Sequence, residues 1–192
     1  MKNVLKTMCV LSLAVLLFAG CDKKVNNNSN NGTTTVASKG NCTVFECLNK
    51  IEATNTIEEI NGIIGFEGRV KEESAEDSSS KWKLYTWELT EDTSIEAKRY
   101  EDTKSIYLEA KYPNDLVKQD QVDLSKANDL KAKVNKGAYY DEIKADLGNV
   151  DGILVKKDSY SKTYIWANKN GGKLTANFNK DNKCTSFYAL VK

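Results

Sequence analysis

Histidine is absent from all 192 residues. That absence excludes a Ser-His-Asp triad, a Cys-His nucleophile and any imidazole metal ligand. An excess of charge is missing as well: 28 Lys and Arg face 27 Asp and Glu, a net +1. A nearly neutral chain gives no electrostatic case for nucleic acid. The sequence has no phosphate-binding loop, no Gly-x-Ser-x-Gly elbow, no EF-hand spacing and no Cys-x-x-Cys pair. Acids are plentiful, but nothing marks two of them as a catalytic pair. The expectation is a protein that is not an enzyme, with no catalytic residue, cofactor or metal site.

A long hydrophobic run is missing too. Residues 8–18 are apolar except for Ser12, whereas a spanning helix needs roughly 20 apolar residues. Lys2 and Lys6 precede this run, and Ala19-Gly20-Cys21 follows it. A basic start, a short apolar core and small residues describe a secretory signal peptide over 1–20. The ending resembles the lipobox of bacterial lipoprotein signals, with Phe18 where Leu is usual. The resemblance implies cleavage before Cys21 and a diacylglycerol thioether on Cys21, with acyl chains of the palmitate class. It also implies anchoring on the extracytoplasmic face of the cell membrane. Two chains suffice, at about 0.8 kcal/mol per buried methylene. Loss of Lys2 and Lys6 leaves a net −1, so lipid and not a basic patch would hold the chain. The other reading of these residues is an ordinary secreted protein with a coincidental cysteine. The Lys- and Asn-rich composition suggests an AT-rich genome and, with the lipobox, a Gram-positive cell surface.

Residues 21–41 read as a lipidated tether. The stretch 22–40, DKKVNNNSNNGTTTVASKG, has no aromatic and cannot bury enough surface to offset its ordering entropy. As a flexible coil its ends would lie about 24 Å apart.

The remainder contains an internal similarity. Thr56, Glu59, Ile60, Ile64 and Gly65 answer Tyr139, Glu142, Ile143, Leu147 and Gly148 at one spacing of 83 residues. Val44, Cys47 and Ile51 answer Ala127, Leu130 and Val134 at the same spacing. Tyr85-Thr86-Trp87 answers Tyr164-Ile165-Trp166 at 79, and Tyr100 answers Phe178 at 78. The polar loop 72–81, longer in the first copy, accounts for the change. Val44, Cys47, Leu48 and Ile51 form a helical stripe. Thr56 and Glu59 form a capping box, and Gly65 and Gly148 can end helices in the left-handed region. Period-two strands follow at 82–89, 95–100 and 105–111, with a weaker one at 69–72. The second set is 153–157, 163–168, 174–179 and 185–191.

The fold expected is α+β: a tandem repeat of two helices packed on a four-stranded antiparallel meander. The first repeat covers 42–113, and a linker with the second covers 114–192. So small a unit has little core of its own, so the two should pack with their sheets side by side. Thr-x-x-Glu-Ile…Ile-Gly followed by Tyr-x-Trp strands, in tandem, resembles the β-lactamase inhibitory protein-like fold. It is similar to Gram-positive lipoproteins of that type and, more distantly, to small lipoproteins of outer-membrane assembly. The resemblance implies a helix-backed sheet whose open face docks a protein. The chain departs from the inhibitor in lacking a cysteine pair within each repeat, so inhibition is not carried over.

With Cys9 lost and Cys21 lipidated, Cys42, Cys47 and Cys184 remain, allowing one disulfide within the chain. Cys47 lies on the apolar stripe and reads as a buried thiol, while Cys184 opens a strand.

Alternation in 82–89 leaves two choices of face. If Leu84 and Ile165 meet the helices, then Tyr85, Trp87, Tyr164 and Trp166, with Tyr100, line the open face as partner-binding residues. If the rings are core, Leu84 and Ile165 point out. The function expected is a non-catalytic module that binds a protein or envelope polymer on its sheet. The alternatives are a small-ligand-binding lipoprotein, which needs a pocket of several hundred Å³, and an inhibitor of β-lactamase type.

Overall fold

Among the described residues, two short helices and four strands follow one another twice. The computed structural model describes residues 39–191. The expected leader 1–20, the expected lipidation at Cys21 and the expected tether up to residue 38 lie outside the described residues. Helix α1 (Val44–Lys50) and helix α2 (Ile57–Ile64) precede β1 (Arg69–Glu73), β2 (Trp82–Glu88), β3 (Ser94–Tyr100) and β4 (Ile106–Lys111). A 3-10 turn at Asn114–Val117 leads to α3 (Leu130–Asn135) and α4 (Tyr140–Asp146). Strands β5 (Ile153–Lys157), β6 (Ser161–Ala167), β7 (Lys173–Asn179) and β8 (Cys184–Leu190) complete the second half.

Local chemistry sets the helix ends. Thr56 Oγ1 accepts the Glu59 N–H at 3.2 Å, and Glu59 Oε2 accepts the Thr56 N–H at 2.8 Å. That backbone bond also holds the Glu59 carboxyl below its ordinary pKa. Thr43 and Glu46 cap α1 in the same way. In α4 the Glu142 carboxylate likewise takes the Tyr139 N–H, at 2.7 Å. Gly65 ends α2 at φ 100°, and Gly148 follows α4 at φ 88°. Left-handed backbone there is costly for a residue with a Cβ.

All eight strands form one antiparallel sheet in sequence order. The halves join where β4 meets β5, through Leu108 opposite Lys157 and Glu109 opposite Lys156. Pairing within the halves follows one scheme. Trp87 faces Ile95 as Trp166 faces Leu174, and Tyr85 faces Ala97 as Tyr164 faces Ala176. The edge strand of each half slips register at one residue, between Val70 and Glu72 and between Leu154 and Lys156. Lys83 pairs with Arg99 as Lys162 pairs with Phe178. Arg99, not Tyr100, therefore occupies the position of Phe178. A spacing of 78 there is off by one, and a one-residue slip moves a side chain to the opposite face.

Each half has its own core. Val44, Cys47, Leu48, Ile51, Ile60 and Ile64 pack on Trp87, Ile95, Ala97 and Leu108. Ala127, Leu130, Ile143 and Leu147 pack on Trp166, Leu174, Ala176 and Phe178. Both indoles lie over a glycine. A Cβ at Gly68 would sit 2.3 Å from the Trp87 ring, and one at Gly152 would sit 2.6 Å from Trp166.

Two expectations are corrected. Cys47 is not a thiol but is bonded to Cys42, with a Cα–Cα separation of 5.4 Å. Cys42 lies just before the Thr43 cap, and the first helical turn brings Cys47 back beneath it. The first half thus holds a cysteine pair after all, and Cys184 stays free and buried. Residues 39–41, expected in a disordered tether, are also tied to the folded part. The Lys39 N–H donates to Leu89 O at 2.9 Å and the Asn41 N–H to Ile64 O at 2.8 Å.

Candidate binding surface

Alternation along β2 and β6 sends Trp87 and Trp166 to the helices, where both are fully buried. Tyr85 stacks beside Trp87 and packs on the first core. Tyr164 is packed among Tyr140, Trp166 and Phe178. These four expected partner-binding residues are therefore core or core margin. Their strand neighbours Ile95, Ala97, Leu174 and Ala176 face the same way and need the same burial. Ile165 points away from Trp166, yet it is not exposed. A third cluster with Val117, Val155 and Ala167 buries it, because the 3-10 turn and residues 118–119 lie along the end of β6.

Tyr100 alone of the five lies on the open face. Beside it, in rows across the sheet, stand other residues of the open face. Trp82 faces Tyr100, and the next row runs Leu84, Lys98, Tyr107. The Lys98 ammonium sits 3.7 Å from the centre of the Trp82 ring and 5.5 Å from that of Tyr100. Such a contact holds a cation by the ring quadrupole. Among the described residues, Lys98 has no carboxylate at ion-pair distance.

Its neighbours along the sheet are paired. Lys71 bonds Glu96 at 2.6 Å, Lys111 bonds Glu109 at 3.2 Å and Lys156 bonds Glu109 at 2.9 Å. Arg69 pairs with Glu88. Burial pushes the Glu109 carboxyl up, but the two lysines outweigh it and hold it below the ordinary range. This ladder pairs the charges at the far end of the open face, while Lys98 sits among rings.

A cleft of about 320 Å³ opens next to this cluster, lined by Lys98, Tyr100, Tyr107, Asp158 and Tyr160 among others. Tyr160, at the tip of the β5–β6 hairpin, is 74% exposed. The matching row of the second half is Thr163, Asn177, Ser186. There Asn177 bonds Thr163 at 2.6 Å and Ser186 at 2.8 Å, so its polar groups satisfy one another.

On the helix side, a surface cleft of about 420 Å³ is lined by Tyr139, Tyr140, Lys162, Tyr164 and Asp181 among others. Its Tyr140 hydroxyl donates to Asp151 at 3.2 Å and accepts the Gly152 N–H at 2.9 Å. Burial raises the Tyr140 pKa strongly, so this phenol stays protonated and is no base near neutrality. Burial likewise raises the Cys184 thiol, which disfavours the nucleophilic thiolate.

Among the described residues, no group of three or more Cys, Asp or Glu is arranged to hold a metal. No described helix is long and apolar enough to cross a membrane. Sequence reasoning missed Trp82, Lys98, Tyr107 and Tyr160. The signal was present in β3, where Ile95 and Ala97 alternate with Glu96 and Lys98. No known protein family matches the chain, and no curated protein or solved structure does so either.

Proposed function

We propose that this chain is a lipoprotein of the extracytoplasmic membrane face, anchored through Cys21, that binds a partner without catalysing a reaction. Its folded part is a tandem duplication of a helix-helix-meander unit of the β-lactamase inhibitory protein-like kind. The shared pairing scheme and the paired indole-on-glycine seats support the duplication. The docking surface is the open face of the first half. One observation carries this reading: Trp82, Leu84, Tyr100 and Tyr107 surround a lysine held by rings, on a face that no described helix covers. Trp and Tyr side chains are enriched in binding hot spots. Trp87 and Trp166 serve the core and not the partner.

A membrane pull-down tests the surface. Trp82→Ala/Tyr100→Ala is expected to lose a protein or envelope polymer that the parent chain retains, with circular dichroism unchanged. Equal recovery from both chains rejects this face. Metabolic labelling with a radioactive fatty acid tests the anchor: label is expected on the parent and absent from Cys21→Ser.

A further inference from the structure

The two outer strands of the sheet are built differently. Strand β1 is exposed throughout, reads Arg-Val-Lys-Glu-Glu and slips register after Val70. Charge and a bulge keep an open strand from pairing with another chain. Strand β8 has its irregularity at its start, where Phe178 lies opposite Cys184. That start is also covered: the Cys184 N–H donates to Ala138 O at 2.8 Å and Tyr139 bridges to Lys183. From 186 to 191 the chain reads Ser-Phe-Tyr-Ala-Leu-Val, without a charge. Tyr188, Leu190 and Val191 are 69%, 44% and 46% exposed. Among the described residues no segment pairs with the outer side of this stretch. Five uncharged residues of β8, followed by Val191, on an open edge are a template for another strand.

We propose that residues 186–191 are the contact between two copies of this chain, paired antiparallel about a twofold axis. The argument for a second copy is charge. In a twofold antiparallel pair, each residue meets one from the same segment, and a charge at the axis meets its like. A charge-free segment satisfies that condition, whereas a charged foreign strand would find no counter-charge along it. The pairing also continues the antiparallel order of β1 to β8 into the second copy. This contact is independent of the partner-binding face proposed above.

Sedimentation velocity tests it on the full chain in non-ionic detergent over roughly 1–100 µM. The mass is expected to rise from one copy to two. Amide hydrogen exchange at 186–191 is expected to slow over the same range, with no change on β1. Tyr188→Lys is expected to raise the dimer dissociation constant at least about tenfold while circular dichroism stays unchanged. If that variant loses its fold, exchange in the parent chain decides alone. Fast exchange at 186–191 at the highest concentration overturns the proposal. So does a single-copy mass throughout, or a dimer that folded Tyr188→Lys leaves intact.

Discussion

The two halves share their buried rows and differ in their open ones. Facing the helices, Tyr85-Ala97-Leu108 corresponds to Tyr164-Ala176-Phe187, and Trp87-Ile95-Ala110 to Trp166-Leu174-Ala189. Facing out, Leu84-Lys98-Tyr107 stands where the second half has Thr163-Asn177-Ser186. Thr86-Glu96-Glu109 stands where it has Ile165-Thr175-Tyr188. Packing fixes the first kind of row, because a buried indole tolerates little change of shape around it. Solvent leaves the second kind free to take different chemistry. In these two rows one scaffold thus carries charged side chains in the first half and none in the second.

The largest test of the shared part is the indole seat. Trp87→Ala and Trp166→Ala are each expected to cost about 3–5 kcal/mol, read as the shift in urea unfolding. A large loss in one and a negligible loss in the other would break the equivalence of the halves.

The indole partner separates them. Asn61 Oδ1 accepts both the Trp87 Nε1–H at 2.8 Å and the Gly68 N–H at 3.0 Å. Trp166 uses the main-chain oxygen of Val150 at 2.8 Å. Asn61→Leu orphans two donors and should cost about 2–3 kcal/mol, whereas in the second half the indole keeps a main-chain acceptor and only the Gly152 N–H relies on a side chain, the Tyr140 hydroxyl. Thermal unfolding of Asn61→Leu beside Asn61→Asp checks this, since aspartate retains an acceptor.

The disulfide is a smaller asymmetry. Closing so short a loop contributes about 2 kcal/mol. Reductant should lower the unfolding midpoint of the parent chain and leave Cys42→Ser/Cys47→Ser unmoved. A parent insensitive to reductant would count against the Cys42–Cys47 bond.

The smallest effect is the pH response of the ion ladder. Glu109 has a folded pKa below its unfolded value. Its contribution is therefore present above roughly pH 4.3 and is lost as pH falls through the lower folded value. Glu109→Gln should flatten the acid limb of the stability profile by under about 1 kcal/mol, because the pair is partly solvated. An unchanged limb would remove the ladder from the account.

Most of the architecture was legible in the residues. Thr56 with Glu59, the glycines at 65 and 148, and the change from helical to period-two spacing located the elements. All eight strands fall close to where alternation put them. The choice of face was not legible from β2 alone, because Trp82-Leu84 and Tyr85-Trp87 are equally apolar rows. It is settled by β3, whose Ile95 and Ala97 can be buried while Glu96 and Lys98 cannot, once the hairpin fixes which residues meet. The disulfide escaped because a helical stripe describes where Cys47 points and says nothing of the loop residue beneath it. The cover over Ile165 comes from residues 112–119, whose path depends on packing and carries no periodic signal.

Photo-crosslinking from two equivalent positions tests the central claim most directly. A benzoylphenylalanine is placed at Leu84 in one full-length chain and at Thr163 in another, and both are irradiated in intact cells. A partner adduct from position 84 and none from position 163 is the predicted result. The same adduct from both positions, or from 163 alone, would contradict a binding face confined to the first half.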